Sequence, residues 1–348
     1  MAEPQHAQPR LGGAVSTAAR VLLPIAVTAA ILLVLPRFWF ADSPYTTGLA
    51  VEALAFGCYA VGFNLIFGST NQLFLCVGAL AGVGGYATAI LSDKASLPLA
   101  VGVAIGTVTA AIVGGLLAWI AVRRSLTVIF TGIVTLVFSL AFTNLIIGQR
   151  DLTGADTGYV LKVAATDLAD DRLGGYYLFV GLLIALLLVF RALQLSHIGW
   201  AFRALRHDEV AAELAGVDVA RYRIYAAVIG SAMIGLTGGL YAYSLGFISP
   251  VTYGFAQVDV QVLIIVALGG MGTLLGPVIG AAAFGFLDRA LADSGQLREA
   301  YYGAFVIAIF LFLRQGVVPT AVGLFDRLVG SRRRAQRLDD AAPGRAER

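Results

Sequence analysis

Long apolar stretches alternate with short polar ones along almost the whole chain. A helix that crosses a bilayer needs about 20 predominantly apolar residues. Ten windows come close to this, at 20–40, 46–68, 71–91, 98–121, 126–147, 176–193, 222–245, 258–270, 276–293 and 300–318. They predict an all-α fold, a polytopic transmembrane helix bundle of about ten membrane segments. The pair 258–293 is interrupted by Gly269-Gly270-Met271-Gly272-Thr273 and by Gly276-Pro277, which predicts short, kinked or re-entrant segments there. Only Ser69 and Thr70 separate 46–68 from 71–91, which predicts a very tight turn. The first apolar run, Val21 to Leu35, is followed by Pro36-Arg37-Phe38-Trp39-Phe40 and not by a small-residue cleavage site, and so reads as a first spanning helix with an aromatic exit.

Composition makes the bilayer a requirement. Hydrophobic residues are 59% of the 348 and charged residues 13%, against about 25% charged in soluble domains. The mean hydropathy is +0.84. The 41 glycines fit the same solvent, because small residues let helix backbones approach closely in lipid. Cys58 and Cys76 both lie in apolar runs without metal-ligand spacing and read as buried filler.

Charge supplies an orientation. With a cytoplasmic N-terminus and ten crossings, 17 of the 24 Lys and Arg residues fall inside and 7 outside, as the positive-inside rule requires. The expected layout is a cytoplasmic N-terminal tail over 1–20, a transmembrane domain over 21–320, and a basic, disordered cytoplasmic tail over 321–348. Within the membrane domain, 148–175 forms the longest external loop and carries five aspartates. The segment 196–221 lies inside and has helical spacing with too many charges to cross.

That inner segment is the most informative. Ile198, Phe202 and Leu205 recur at i, i+4 and i+7 beside Arg203 and Arg206, which gives a short amphipathic helix. Asp208 can cap a second short helix ending at Gly216, and Asp218 can cap the next spanning helix. Such a hairpin suits docking into a groove of a soluble partner, and equally suits lying on anionic lipid.

Catalytic motifs are absent: there is no nucleotide-binding G-x-x-x-x-G-K-[ST], no H-E-x-x-H and no Cys/His cluster with zinc spacing. No catalytic residue, metal site or bound cofactor is therefore expected in this chain, and nothing suggests nucleic-acid binding. Gly270-Met-Gly-Thr-Leu-Leu-Gly276 drifts toward a dinucleotide pattern, but it lies between apolar helices and reads as a helix break. The candidates for a translocation path are intramembrane polar residues: Glu52, Asn64, Asn71, Gln72, Asn144 and Asp259. Such groups face a bundle interior or a water-filled path. For each of them an interhelical hydrogen bond is the alternative.

Several of these stretches together carry a resemblance. Ser196-His-Ile-Gly-Trp-Ala-Phe-Arg-Ala-Leu-Arg-His-Asp-Glu-Val-Ala-Ala-Glu-Leu-Ala-Gly-Val-Asp-Val resembles the cytoplasmic coupling segment of LivM-type permeases, the membrane subunits of branched-chain (hydrophobic) amino acid ABC importers. So do Ala232-Met-Ile-Gly-Leu-Thr-Gly-Gly-Leu-Tyr-Ala, Ile248-Ser-Pro, Leu268-Gly-Gly-Met-Gly-Thr-Leu-Leu-Gly-Pro-Val-Ile-Gly-Ala, Asn64-Leu-Ile-Phe-Gly and Leu152-Thr-Gly-Ala-Asp-Thr-Gly. The likeness covers roughly 45–320 and is most specific over 196–277.

The resemblance implies a multi-pass protein of the bacterial plasma (inner) membrane with both termini cytoplasmic. Its implied partners are a second homologous permease subunit, two cytoplasmic ATPase subunits that use the ATP, a periplasmic or extracellular solute-binding protein, and membrane lipids. It turns 196–221 into coupling helices, with Trp200, Phe202, Arg203, Arg206, Asp208, Glu209, Glu213 and Gly216 as the residues that contact the ATPase. The implied function is a solute path for branched-chain or related amino acids. A urea or short-amide ABC importer is the near alternative, and a proton-coupled secondary transporter the distant one. The family pattern G-Q-x-S-x-G-H-A-x-F is replaced here by Asn71-Gln72-Leu-Phe-Leu-Cys-Val-Gly78-Ala, with apolar residues for the Ser and His. If those groups touch solute or gate the path, this chain differs in solute or in gating chemistry.

Overall fold

The structure is a computed structural model that describes residues 23–36, 44–95, 97–161, 172–291, 300–301, 303–305, 307, 311 and 316–320. The tails 1–20 and 321–348, the middle of the 148–175 loop and most of the last window lie outside the described residues. The described chain is helical nearly throughout. Helix α1 spans Leu23–Pro36, α2 Pro44–Thr70, α3 Val77–Lys94, α4 Leu99–Arg123, α5 Val128–Gly148 and α6 Arg150–Thr153. A two-residue strand β1 (Tyr159–Val160) is followed by α7 Arg172–Leu195, α8 His197–His207, α9 Glu209–Leu214, α10 Val219–Leu245, strand β2 (Phe247–Ile248), α11 Val260–Gly269 and α12 Gly276–Leu291.

Five of these helices, α2, α4, α5, α7 and α10, are long and apolar enough to cross a membrane, and α1 and the 255–269 stretch are shorter apolar helices. The protein is therefore an all-α polytopic bundle. Helices α2, α3 and α10 form its buried centre, while α4 and α5 show long apolar faces such as Val108, Ile112, Ile129 and Val137. In lipid such faces need no further cover.

Glycine brings the central helices together. A Cβ on Gly84 of α3 would collide with the carbonyl of Gly235 in α10, and one on Gly238 with the carbonyl of Ala81. Backbone therefore rests on backbone, and dispersion contacts, not a hydrophobic driving force, hold the pair in a bilayer. Two buried hydroxyls show the local and the interelement solution: Thr237 donates to the Met233 carbonyl one turn back, and the Tyr253 phenol donates to the Gly238 carbonyl of α10 at 3.0 Å.

At one end of the bundle β1 pairs antiparallel with β2, in the register Tyr159↔Ile248 and Val160↔Phe247. Partial burial and the nearby Asp93 carboxylate push the Tyr159 phenol above its ordinary pKa. The opposite end carries α8 and α9 and the turns at 124–127 and 270–275.

The tight turn expected at Ser69-Thr70 is not formed. Helix α2 continues through Thr70, Asn71 takes a left-handed φ of 56°, and residues 71–76 return into the bundle without regular structure before α3 begins. Asn tolerates that conformation better than most residues. The irregular backbone is partly satisfied by α5, where Thr135 Oγ1 accepts from the Leu75 amide at 2.9 Å. Non-helical backbone at membrane depth is stable only where it is buried in protein like this.

Candidate functional site

The segment 196–221 folds as a helical hairpin. Helix α8 buries Ala201, Phe202 and Leu205 and turns Trp200 outward at 68% exposure. Phe202 meets Tyr222 of α10 edge to face, with ring centroids 6.4 Å apart. Arg203 lies over the Trp200 ring, 4.4 Å from its centroid, so the cation is held by the aromatic face. Asp208 caps α9 by accepting from the Ala211 amide at 3.1 Å, and Asp218 caps α10 by accepting from the Arg221 amide at 3.0 Å.

Gly216 closes α9 with φ 86°, while its amide and that of Val217 reach back to the Glu213 and Ala212 carbonyls. That left-handed closing residue is where glycine is favoured. Glu209 pairs with Arg223 of α10 at 2.8 Å, and Glu213 is exposed. Among its charged residues the hairpin exposes three large apolar side chains, Trp200, Val210 and Leu214, at 68%, 66% and 85% exposure.

The hairpin is tied to the turn between α11 and α12. Arg206 Nη2 donates to the Met271 carbonyl at 2.8 Å. Gly272, with φ 70°, lies against the Arg206 guanidinium so closely that a Cβ there would collide with it. From the other side, Asn64 of α2 grips the same turn. Its Oδ1 accepts from the Gly272 amide at 2.6 Å and its Nδ2 donates to the Thr273 carbonyl at 2.9 Å. Asn64 is fully buried. Its buried amide is thus paired at both ends, and two elements hold one glycine-rich turn.

The other end of α11 carries Asp259, which is 1% exposed. It closes a π-helical turn, Phe255–Asp259, a local geometry frequent at functional sites. Its Oδ1 accepts from the Gly78 amide at 3.1 Å and its Oδ2 from the Ser139 hydroxyl at 3.2 Å. The carboxylate therefore sits at the N-terminus of α3, where unpaired amides and the helix dipole favour negative charge. The ten residues of α11 place this latch about 15 Å from the turn that Arg206 holds.

The remaining candidates separate. Asn71 and Gln72 line a cavity of about 480 Å³ together with Glu209, Glu213 and Arg223. Glu52 lies at the rim of a smaller cavity of about 60 Å³ beside Phe56, Gln261 and Asp288, between α2 and α12. Asn144 is on the outer surface of α5, where its Nδ2 donates to the Leu140 carbonyl at 2.8 Å. Neither Glu52 nor Asn144 lines the cavity of Asn71 and Gln72.

Sequence reasoning missed Ser139 and Thr135 as partners of the broken helix. A signal was present, since Thr131, Thr135, Ser139 and Thr143 recur every fourth residue in an otherwise apolar window, which marks one polar stripe on α5. Among the described residues no group of His, Cys, Asp and Glu has metal-site geometry.

A glycine-packed helical bundle with a charged hairpin on one face and a broken buried helix is the architecture of a polytopic membrane protein. The family described as branched-chain amino acid transport system / permease component matches residues 45–313, and the chain belongs to that family. It is 28% identical over 315 residues to the high-affinity branched-chain amino acid transport system permease protein LivM of Escherichia coli K12, covering 83% of this chain and 73% of that one. The LivM protein of Salmonella typhimurium is 26% identical over 316 residues, with the same coverage. A probable branched-chain amino acid transport permease protein LivH of Methanocaldococcus jannaschii is 26% identical over 276 residues, covering 76% of this chain and 86% of that one. No solved structure matches.

Proposed function

We propose that this chain is the permease subunit of an ABC importer for branched-chain or related amino acids, without catalytic activity of its own. It works beside a second, homologous permease and receives solute from an external binding protein. Two cytoplasmic ATPase subunits consume the ATP. It lies in the bacterial inner membrane with both termini and the α8–α9 hairpin on the cytoplasmic side, the orientation that places 17 of 24 cationic residues inside.

The observation that carries the reading is the tether of Arg206 to the Met271 carbonyl. A permease powered from outside the membrane needs a rigid element that meets the ATPase and a bonded route from it into the bundle. The exposed Trp200, Val210 and Leu214 supply the docking surface. The route runs from Arg206 through the 270–275 turn and α11 to Asp259 and the start of α3. Closure of the ATPases would move the hairpin as a body, and the short helix α11 would carry that shift to the latch.

The test is reconstitution of the complex in liposomes with labelled leucine. Uptake should require ATP on the ATPase side together with the binding protein, and should survive collapse of the proton gradient. Leucine accumulation by this chain alone on a proton gradient would overturn the proposal in favour of a secondary transporter.

A further inference from the structure

A cavity of about 250 Å³ lies where two membrane helices end. Its wall is made by the last turns of α2 and α7, by α8 and by Gly272 of the α11–α12 turn. Gly199, Phe202, Arg203 and Arg206 of the lining recur at i, i+3, i+4 and i+7, so one face of α8 closes it. Because α2 and α7 stop here and a charged helix such as α8 stays out of the hydrocarbon, the cavity sits at the depth of the lipid head groups.

Its charge is of one sign. Arg203, Arg206 and His207 line it, all three exposed, and no aspartate or glutamate does. The cavity of about 480 Å³ beside α9, by contrast, carries Glu209 and Glu213. Neither Arg203 nor Arg206 forms an ion pair with a described residue. Stacking on Trp200 occupies one face of the Arg203 guanidinium and leaves its N–H edge open to an anion. Arg206 gives Nη2 to the Met271 carbonyl, a neutral acceptor that leaves its charge uncompensated. Two guanidiniums that share a cavity without a carboxylate suit the oxygens of a phosphate.

The rest of the wall says what carries that phosphate. The volume is below the roughly 300–1,000 Å³ of sites that enclose a drug-sized ligand, too small for a nucleotide and ample for one phosphate group. Leu193 and Phe202 make part of the wall apolar, which suits the glycerol and ester region of a lipid better than a fully hydrated ion. A head group bearing an ammonium would find no carboxylate there, so a lipid of net negative charge is the better fit. We infer that this cavity holds the phosphate of an anionic phospholipid, which bridges α8 to the ends of α2 and α7. The inference needs only a membrane location, not a particular solute or partner. Val210 and Leu214 of α9 lie outside the cavity and stay free for a soluble subunit.

Native mass spectrometry of the purified full-length chain tests it. Phosphatidylglycerol should be retained at least about fivefold more tightly than phosphatidylcholine of the same acyl chains, the scale of one cation near an anionic lipid surface. Inorganic phosphate and glycerol 3-phosphate in excess should not displace it. Arg203→Gln, at an exposed position, should remove most of the preference. So should Gln194→Glu, which puts a carboxylate in the cavity with little change of shape. Arg123→Gln is the control and should bind as the parent does. Arg123 is likewise exposed at the end of a membrane helix and lies 5.1 Å from the Trp119 ring, yet it is not in the lining.

Equal retention of the two lipids, or parental retention in Gln194→Glu, would overturn the inference. So would an equal loss in Arg203→Gln and Arg123→Gln, which would mean attraction spread over the whole face. Displacement by inorganic phosphate would overturn the lipid as the source and leave a site for a soluble anion. None of these results bears on ATP-driven uptake, which tests the permease reading separately.

Discussion

Arg206 and Asn64 hold the same turn from opposite sides. Arg206 Nη2 donates to the Met271 carbonyl at 2.8 Å, and Asn64 Oδ1 accepts from the next amide, that of Gly272, at 2.6 Å. One partner is on the hairpin outside the membrane core and the other is fully buried in α2. The turn they share joins the exposed hairpin to the buried bundle. Gly272 is required there twice over, by its φ of 70° and by the guanidinium that occupies the space of a Cβ.

Asp259 lies at the other end of α11 from that turn. Asp259→Ala removes the acceptor of the Gly78 amide and the Ser139 hydroxyl, both buried. Leaving buried donors unpaired costs about 1–3 kcal/mol, so thermal unfolding in detergent should shift downward. Asp259→Asn keeps one acceptor oxygen and should lose less. Equal stability of the parent and Asp259→Ala would remove Asp259 as the latch of α3.

The close contact of α3 with α10 predicts a severe effect from a larger residue. Gly84→Leu drives a side chain into the Gly235 carbonyl, and both helices are deep in the bundle. Overpacking of a tight core costs typically about 1–3 kcal/mol and occasionally more. The variant should accumulate poorly in membranes and aggregate on gel filtration, whereas a leucine at Gly181 of α7, where a Cβ meets nothing, should behave as the parent.

Orientation can be read directly by labelling. Cys58 and Cys76 are buried and will not react with an impermeant maleimide. A cysteine replacing the exposed Thr157 should label from outside intact cells, and one replacing the exposed Ala215 of the hairpin should label only after permeabilisation. Labelling of the Ala215→Cys variant in intact cells would invert the topology.

Gly216 tests the hairpin's rigidity. Its φ of 86° has open space around it, so a substitution acts through backbone strain alone. Forcing a residue with a Cβ into a left-handed conformation costs about 1–2 kcal/mol. Gly216→Val should loosen the end of α9, visible as faster proteolysis between α9 and α10, and Gly216→Asn should be milder. Equal proteolysis of all three would mean that the turn's conformation does not hold the hairpin.

Much of this arrangement is written locally in the chain. The caps at Asp208 and Asp218, the closing Gly216 and the apolar stripe of Phe202 and Leu205 depend on neighbours within a few residues, and periodicity reveals them. The break after Thr70 was not legible in the same way. An apolar run such as Leu73-Phe74-Leu75-Cys76-Val77 satisfies a spanning-helix window whether it is coiled or extended. What decides between them is Thr135, 60 positions away, which supplies the acceptor for the Leu75 amide. Asp259 and Asn64 were recognisable as costly intramembrane polar groups, but their partners Ser139, Gly78 and Gly272 are set by tertiary packing. Glu52 looked equivalent to them in sequence, yet it lies at the edge of the bundle.

The central claim is that Arg206 transmits ATPase motion into the bundle, and stimulated ATP hydrolysis measures it most directly. The complex is reconstituted with liganded binding protein, and the hydrolysis rate and leucine uptake are recorded together for the parent, Arg206→Lys and Arg206→Glu. Loss of a hydrogen bond to a charged group is worth about 1.5–3 kcal/mol, so Arg206→Glu should lower both stimulation and uptake roughly tenfold or more while the chain still inserts and assembles. Arg206→Lys should fall between. Normal stimulation and normal uptake in Arg206→Glu would contradict the account, and the hairpin would then be a membrane-surface element.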